Sequence, residues 1–571
     1  MLEKAKQFVW KQKLNIVLLI MIAVFGAFYI SQKEGYHMDE MLSFELANAE
    51  FTPWIVTTQP VGRLEKFVQN EIYGDTVWET WGNFFETVSD VLKNRGNSKL
   101  LSYKADVYPE PVWITQEQYQ DYIAVGERDD FNYLSVYFNV KDDNHPPLHF
   151  MAVHTISSIF KGQVTPWMGC VINLLLVLGI CVILLKIGKE FWGNEKIGVL
   201  ACLLYAFSMA GVSTVLLIRM YAMLTFWCMF ALYLHMKKLQ SGEWESKNKL
   251  LIFVTFAGFF TQYYFVIFML FLAVITLFLM KQKHWYYLRS MAIAAVIGLC
   301  VYPFSVLHVL FSGRGVESVQ NLGSGLSGLG ERFYYFGKIV REEILGGTIG
   351  LCILLLVFTV AVLWGVYRKY AGKAEVGKTP ETDIGIGTER KKYLLQMVVP
   401  CVGYFLVAVK IAPFYADRYL MPVFPLFAIF LAVVLWKTFT CKWAFLVVAL
   451  MLLPNIVTVT PSYLYKGYDH QLEIARQAEV PCICVYHGVG YYQNLMEFTY
   501  YPQTLMVTEE ELFGRSRDCV LSEQDELVLL LENGVDREKV YAYLSKEYGF
   551  EVSEVLLEKG VHGDYIVSCT K

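Results

Sequence analysis

Long apolar runs separated by short polar segments dominate the pattern of this chain. A first run extends from Leu14 to Ile30, and a polar segment, residues 31–165, follows it. The later runs are each long enough to cross a bilayer. They predict membrane helices at about 166–188, 197–217, 218–236, 250–262, 263–280, 290–311, 347–368, 393–412, 419–437 and 443–460. The pattern therefore predicts a mainly α-helical, polytopic membrane protein with about eleven transmembrane helices.

Two regions depart from this pattern. The stretch from His145 to Phe160 is apolar but too short to span, so we expect an interfacial helix on the outer leaflet. Beyond the last run, short β-rich stretches alternate with helical ones, which is typical of a small α/β domain. We therefore predict a transmembrane domain over 1–460, with interfacial helices in its large loop 31–165, and a separate α/β domain over 461–571.

Composition and charge support a membrane protein and orient it. The chain is 55% hydrophobic and 18% charged, with a mean hydropathy of +0.39, which is too apolar for a soluble protein of this length. A net charge of -4 gives no basic surface for nucleic acid. Alternating the helices from a cytoplasmic N-terminus places the lysines and arginines of the short loops on one side, as cytoplasmic loops require. The acidic loop 31–165 and the C-terminal domain are then predicted to lie outside a multi-pass cell membrane protein.

Cysteine usage adds little chemistry. Eight of the twelve cysteines lie in or beside apolar runs, where the thiol behaves as a small hydrophobic group. The other four could form disulfides if the C-terminal region faces an oxidising space. These four are Cys482, Cys484, Cys519 and Cys569. Metal binding there is less favoured, because no CxxC pair or histidine cluster accompanies them.

Acidic residues mark the starts of two predicted helices in the large loop. Asp39 and Glu40 follow the first apolar run, and Asp39 occupies the place of a helix N-cap. Asp143 and His145 precede the predicted interfacial helix. Each pair can be read as a helix cap that complements the helix dipole. Two such starts in one exterior loop also suit a shared site, in which one carboxylate acts as a base and the other positions an acceptor.

Cations recur at the outer ends of predicted spans. Arg219 and Tyr221 lie at one such boundary, and Lys410 and Arg418 lie near another. An isolated arginine at this depth can simply reach lipid phosphate. Several cations beside carboxylates also suit the binding of a phosphate leaving group at the interface.

Five short motifs, in order along residues 1–460, resemble the C-type superfamily of integral membrane glycosyltransferases. They resemble in particular the branch that contains the protein O-mannosyltransferases and the lipid A aminoarabinose transferases. The motifs are Asp39-Glu40, Asp143-Asn144-His145-Pro146-Pro147-Leu148, Arg219-Met220-Tyr221-Ala222, Thr261-Gln262-Tyr263-Tyr264 and Arg418-Tyr419-Leu420-Met421-Pro422.

The resemblance implies transfer of a sugar from a polyprenyl-phosphate-linked donor to a lipid, glycan or protein acceptor in the cell envelope. The transfer would take place on the outer face, with inversion at the anomeric carbon. No cofactor is expected; a divalent metal is possible but has no support in the residues. Asp39 would be the base or orienting carboxylate, with Glu40 as its catalytic neighbour. The expected substrate-binding residues are Asp143, His145, Arg219, Tyr221, Tyr263, Lys410 and Arg418.

Two alternatives stay open. The exterior loop is rich in tryptophan and tyrosine, which could form an acceptor platform or anchor the loop at the membrane interface. A transporter or lipid flippase could share the number of spans. Such a protein would place charges or broken helices at the bilayer midplane, whereas the charges here lie at the outer boundary.

Overall fold

The protein is described by a computed structural model that divides into two compact units. The description covers residues 13–51, 67–94, 98–103, 111–127, 129–245, 248–311, 317, 320–323, 325, 328–370, 388–439, 441–488, 490–514 and 518–571. We call residues 1–32, 144–149 and 170–462 the helical unit. We call residues 33–143, 150–169 and 463–571 the sheet unit. This grouping places the large loop with the C-terminal region, whereas the sequence predicted a boundary near residue 460.

The helical unit follows the apolar runs, with a helix at every predicted span. Its helices are Lys13–Ile30, Pro166–Glu190, Glu195–Ala206, Met209–Leu216, Tyr221–Ser241, Lys249–Phe259, Tyr264–Leu279, His284–Val301, Phe304–Phe311, Leu329–Glu343, Gly347–Tyr370, Thr388–Ile411, Phe424–Thr438 and Cys441–Thr458. Within the described ranges, five helices are long and apolar enough to cross a membrane, or up to eight if each bent pair counts as one span. The mainly helical membrane fold is confirmed, and the number of eleven spans stays a prediction.

A sharp bend interrupts the helical unit where the chain approaches Arg219. The helices Glu195–Ala206 and Met209–Leu216 meet at 62°. Gly211 makes the bend possible, since a Cβ there would lie 2.4 Å from the carbonyl oxygen of Tyr205. The second helix ends at Leu216, and the next begins at Tyr221. Arg219 therefore lies in a short non-helical link.

A second break carries Arg418. The chain leaves helix Thr388–Ile411 and makes two 3₁₀ turns, Asp417–Tyr419 and Met421–Val423, before helix Phe424–Thr438. Pro422 lies in the second turn, where a backbone without an N–H donor suits a helix start. Both arginines of the predicted site thus lie at helix breaks, where backbone polar groups are unpaired within the helices.

The sheet unit contains a six-stranded mixed sheet. Its strands are β1 (Trp113–Thr115), β2 (Cys482–Val485), β3 (Gln503–Val507), β4 (Glu526–Leu531), β5 (Glu551–Leu557) and β6 (Tyr565–Thr570). Their order is β1-β3-β2-β4-β6-β5, with β2 parallel to both β3 and β4 and the other pairs antiparallel. The β-rich stretches of the C-terminal region, residues 482–486, 504–507, 526–531 and 565–569, form β2, β3, β4 and β6. β1 and β5 were not predicted, and β1 pairs Trp113 of the loop with Leu505 of β3.

Helices complete the sheet unit, and its core is apolar. They are Met38–Asn48, Val77–Asn94, Lys99–Ser102, Gln116–Ile123, Tyr133–Asn139, Leu148–Ile159, Tyr468–Gln477, Leu495–Phe498, Glu509–Gly514, Cys519–Glu523 and Arg537–Tyr548. Cys482, Cys484 and Cys569 are buried as free thiols and form no disulfide with one another, and the Cys519 side chain lies outside the described part. The helix predicted after His145 is present as Leu148–Ile159, and its place at a membrane surface stays a prediction.

Candidate functional site

The acidic motif begins helix Met38–Asn48 in the sheet unit. His37, not Asp39, is the N-cap: its Nδ1 accepts a hydrogen bond of 3.0 Å from the Asp39 backbone N–H. Glu40 completes a capping box, because its carboxylate accepts from the His37 N–H at 2.6 Å. The prediction that Asp39 stands at the N-cap is wrong, since an imidazole nitrogen takes the role usually given to a short oxygen-bearing side chain.

Glu40 is a buried structural carboxylate. Its Oε2 lies 2.9 Å from Nζ of Lys33, and both side chains are fully buried. The same ammonium donates at 2.7 Å to the Tyr463 carbonyl. A buried charge is tolerated when it is paired and hydrogen-bonded, as Glu40 is here. These contacts give Glu40 a structural role, and its catalytic role stays a prediction.

Asp39 differs from its neighbour because its carboxylate reaches solvent. The side chain is 22% exposed, and one oxygen lies 3.5 Å from Nδ1 of His37. Behind this turn, His562 packs against Tyr465 with ring centroids 5.2 Å apart. Burial, followed by the nearby His37, lowers the pKa of His562 to about 4, so this imidazole is neutral at ordinary pH. Asp39 is thus the accessible carboxylate of the motif.

Asp143, the second predicted acid, is buried within the same unit. Its backbone N–H donates to the Val140 carbonyl at 3.2 Å, which closes a 3₁₀ turn. Burial, Glu45 and Asp143 all raise the pKa of the Tyr492 hydroxyl well above its usual value. Asp143 and Glu45 therefore both lie near Tyr492, and neither Glu45 nor Tyr492 was predicted from the sequence.

In the helical unit, Arg219 is buried in the link between two helices, and Asn173 supports that link. The Asn173 amide donates to the Leu217 carbonyl at 2.6 Å and to the Val215 carbonyl at 3.3 Å. These carbonyls belong to the end of helix Met209–Leu216, where no further helical turn can pair them. Asn173 was not predicted from the sequence. The one feature that could have marked it is that a polar asparagine interrupts an apolar run.

Arg219 and Arg418 converge on a group of tyrosines. The rings of Tyr221 and Tyr419 pack edge to face at 6.0 Å, and Tyr264 packs on Tyr419 at 5.7 Å. The Arg418 guanidinium lies 5.5 Å from the Tyr419 ring. Both arginines are within electrostatic range of the Tyr221 hydroxyl. Three of the sequence motifs thus meet in the helical unit, and we call Arg219, Tyr221, Tyr264, Arg418 and Tyr419 the arginine–tyrosine group.

The histidine motif approaches the same group. His149 is fully buried, and desolvation, Arg219 and His145 together lower its pKa to about 3. The backbone N–H of Leu148, which belongs with His145 and His149 to the helical unit, donates to the Phe260 carbonyl at 3.1 Å. The neutral His149 therefore lies near both Arg219 and His145, and the shared site of His145 and Arg219 stays a prediction.

Two predicted residues make other contacts. Lys410 donates at 2.8 Å to the Gly325 carbonyl. The Tyr263 hydroxyl is 2.9 Å from Nδ1 of His308, while its neighbour Tyr264 joins the arginine–tyrosine group. Tyr264, which stands beside Tyr263 in the motif, is thus the tyrosine placed near the arginines. Across the described ranges, no three His, Cys, Asp or Glu side chains are arranged to bind one metal ion.

Comparison with solved structures identifies the class of this architecture. The fold is similar to that of ArnT from Cupriavidus metallidurans bound to undecaprenyl phosphate, with a TM-score of 0.53 and 11% identity over 98% of each chain. ArnT in the apo state matches with a TM-score of 0.47 and 12% identity, over 80% of this chain and 94% of that one. The first of these matches shows that the chain has an ArnT-like fold, which agrees with the resemblance to C-type membrane glycosyltransferases carried by its motifs.

A family match gives the more particular relationship. Residues 144–308 match the profile of the dolichyl-phosphate-mannose-protein mannosyltransferase family. That range holds the motifs of His145, Arg219 and Tyr264. A search of curated proteins finds no match.

Proposed function

We propose that this protein transfers a sugar from a polyprenyl-phosphate-linked donor to an acceptor of the cell envelope. The arginine–tyrosine group carries the proposal, because it holds two guanidinium groups beside hydroxyl-bearing rings at two helix breaks. The similar ArnT structure contains bound undecaprenyl phosphate, which supports a lipid phosphate as the ligand here.

The donor half of the proposal rests on the helical unit. Departure of the lipid phosphate builds negative charge on its leaving oxygen, and guanidinium groups bind phosphate oxygens through paired N–H donors. Arg219 is buried, so its interaction with an anion is stronger than it would be in water. Asn173 holds the link that carries Arg219 and acts as a positioning residue. His149, neutral next to Arg219, adds no second positive charge at that point.

The acceptor half rests on Asp39. In the proposed reaction, the acceptor oxygen forms a bond to the anomeric carbon while the bond from that carbon to the phosphate oxygen breaks. The acceptor proton passes to the Asp39 carboxylate, and the lipid phosphate leaves as an anion. A direct displacement of this kind inverts the anomeric centre. An aspartate with an ordinary pKa of about 3.9 is a weak base, so proton transfer must be late and the phosphate contacts must supply much of the rate.

The charge distribution of the loops supports an outward-facing reaction. Residues 31–165 contain 20 acidic and 10 basic residues, whereas the short loops between apolar runs are rich in lysine and arginine. We propose that the sheet unit, with Asp39, faces the exterior. The transferred sugar stays open between mannose, aminoarabinose and other sugars. The acceptor class stays open between protein, glycan and lipid.

Reconstituted transfer tests the proposal directly. Purified protein in liposomes is incubated with a set of polyprenyl-phosphate sugars and a membrane extract, and released polyprenyl phosphate is measured by mass spectrometry. We expect release from at least one sugar donor, and a loss of release with Arg219→Gln. Movement of the intact donor between leaflets, without any release from any donor in the set, would support the flippase alternative instead.

A further inference from the structure

One helix of the sheet unit turns its apolar face outward. Along helix Val77–Asn94, apolar side chains recur at spacings of three and four residues, which places them on one face. We call this face the aromatic stripe. It consists of Trp78, Trp81, Phe85, Val88 and Leu92, which are 85%, 52%, 64%, 40% and 75% exposed.

The opposite, polar face is the one that contacts the rest of the unit. The Asn83 amide donates to the Ile72 carbonyl at 3.1 Å, and the Asp90 carboxylate accepts from the Lys99 backbone N–H at 2.7 Å. Thr80 Oγ1 accepts from the Gly74 N–H at 3.2 Å. A surface helix of a soluble domain has the reverse arrangement, with its apolar face on the core. Specific hydrogen bonds therefore fix this helix with the aromatic stripe outside.

The composition of the stripe favours a membrane surface. Its two tryptophans are side chains that concentrate at the boundary between headgroups and acyl chains. The acids Glu79, Glu86 and Asp90 lie off the stripe, so no carboxylate need enter an apolar phase. Lys93, in the last turn of the helix, can extend its ammonium toward lipid phosphate.

The position of this helix along the chain places it near a bilayer. The segment that carries the helix lies between two helices long and apolar enough to cross a membrane, Lys13–Ile30 and Pro166–Glu190. Both ends of the segment are therefore held at a membrane, which makes contact with its surface an intramolecular event. An exposed apolar face of this size is rare on a soluble surface and marks an interaction site.

We infer that the aromatic stripe lies in the headgroup region of the bilayer and anchors the sheet unit to the membrane. The helix lies along the surface, with its polar face bonded to the protein and its aromatic face inserted among lipids. This anchor is distinct from the predicted interfacial helix Leu148–Ile159, and it selects membrane anchoring over an acceptor platform for Trp78 and Trp81. Among the other loop aromatics, Tyr119 is buried against Phe498 with ring centroids 5.2 Å apart. Trp54 and Tyr108 lie outside the described residues.

Spin-label accessibility in the full-length protein tests this anchor. Phe85→Cys and the adjacent Glu86→Cys are labelled with a nitroxide after reconstitution in phosphatidylcholine nanodiscs. Both side chains are exposed, so neither substitution removes a buried contact, and Glu86 lies off the stripe. The labelled wild-type chain gives the background from native thiols such as Cys300 and Cys352, which are exposed.

We expect the label at 85 to collide preferentially with oxygen, at a depth of about 5–10 Å, as for an interfacial helix. The label at 86 should instead collide with a water-soluble nickel chelate. Equal nickel accessibility at both positions would overturn the inference. Spin–spin broadening at 85 that disappears on dilution with unlabelled protein would also overturn it, because a second copy would then cover the stripe.

Discussion

Lys33 and Glu40 form an ion pair of 2.9 Å in which both side chains are fully buried. The pair joins the chain just before the acidic motif to the first turn of helix Met38–Asn48, and Lys33 also bonds to the carbonyl of Tyr463. Tyr463 lies 430 residues away in sequence. The turn that presents Asp39 is therefore built jointly by the large loop and the C-terminal region.

The Lys33–Glu40 ion pair predicts that loss of Lys33 lowers the stability of the protein. Lys33→Met leaves a buried carboxylate without its cation, and removal of one partner of a buried pair costs about 3–5 kcal/mol. We expect a lower unfolding temperature in detergent for Lys33→Met, and partial recovery in the double variant Lys33→Met/Glu40→Gln. An unchanged unfolding temperature in the single variant would show that the pair does not stabilise the turn.

Asp39→Asn should lower activity without lowering stability, which is the reverse of the effect expected for Lys33→Met. Its carboxylate is partly exposed, so Asp39→Asn should leave the unfolding temperature unchanged. As the proposed proton acceptor, its loss should lower kcat by about 10²–10⁴-fold, the usual range for a general base. The measurement is the rate of sugar transfer in proteoliposomes, with Glu86→Gln, an exposed acid outside the motif, as the control. Full activity in Asp39→Asn would exclude the assigned role.

The two adjacent tyrosines at 263 and 264 offer a matched comparison. Tyr264 packs on Tyr419 beside the arginines, and Tyr263 bonds to His308. Tyr264→Ala should raise KM for the donor, because it opens the wall of the proposed phosphate site. Tyr263→Phe removes one hydrogen bond, worth about 0.5–1.5 kcal/mol, and should act on stability with little change in KM. The reverse pattern in donor titrations would restore Tyr263 as the binding residue.

Asn173 is expected to act on donor binding without touching the donor. Asn173→Leu leaves the carbonyls of Leu217 and Val215 without its amide, a penalty of about 1–3 kcal/mol for buried polar groups. The link that carries Arg219 should then relax, and KM for the donor should rise. Rescue by Asn173→Gln, which keeps the amide, separates loss of the amide from the larger size of the new side chain. If Asn173→Leu keeps the wild-type KM, the link does not depend on this amide.

The C-terminal part of the sheet unit should lose stability as pH rises. Burial raises the pKa of Asp564 to about 6 and that of Glu532 to about 8. Both carboxyls hold protons in the folded state that the unfolded chain releases at lower pH. Their stabilising contribution is therefore complete below about pH 4 and is lost progressively as pH rises through 6 and 8. The free energy of local opening, measured by hydrogen exchange in β4 between pH 5 and 8.5, should fall with pH, and Asp564→Asn should flatten that slope. A slope of the opposite sign would contradict this protonation.

Sequence reasoning succeeded where one local property decides the structure. Each long apolar run became a helix because its residues need only an apolar surrounding and their own backbone bonds. Four of the five C-terminal strands were predictable from short β-rich runs for a similar reason, and β5 was not predicted. β1 was missed because Trp113–Thr115 is too short to show alternation, and it becomes a strand only through pairing with β3.

The site residues show which features local sequence patterns could not predict. Motif spacing selected His145 and Arg219, which both lie at helix starts or breaks, but it did not single out His149, which lies near both of them. Spacing could not decide between Tyr263 and Tyr264, because adjacent residues at a helix start point in directions that only the packed neighbours reveal. Nor could it distinguish Glu40 from Asp39, because the burial of Glu40 depends on Lys33 and on a carbonyl from the distant C-terminal region.

The proposed donor site depends most on the binding of a lipid phosphate by Arg219 and Arg418. The decisive measurement is the Kd of polyprenyl phosphate for the purified protein, for Arg219→Gln and Arg418→Gln, and for Arg289→Gln as a control. Arg289 lies beside Tyr286 in helix His284–Val301, outside the arginine–tyrosine group. Loss of a charge-assisted contact worth about 1.5–3 kcal/mol should raise Kd by about 10- to 100-fold in each of the first two variants. Arg289→Gln should bind as the wild type does. Equal Kd values for all four proteins would contradict the proposed donor site.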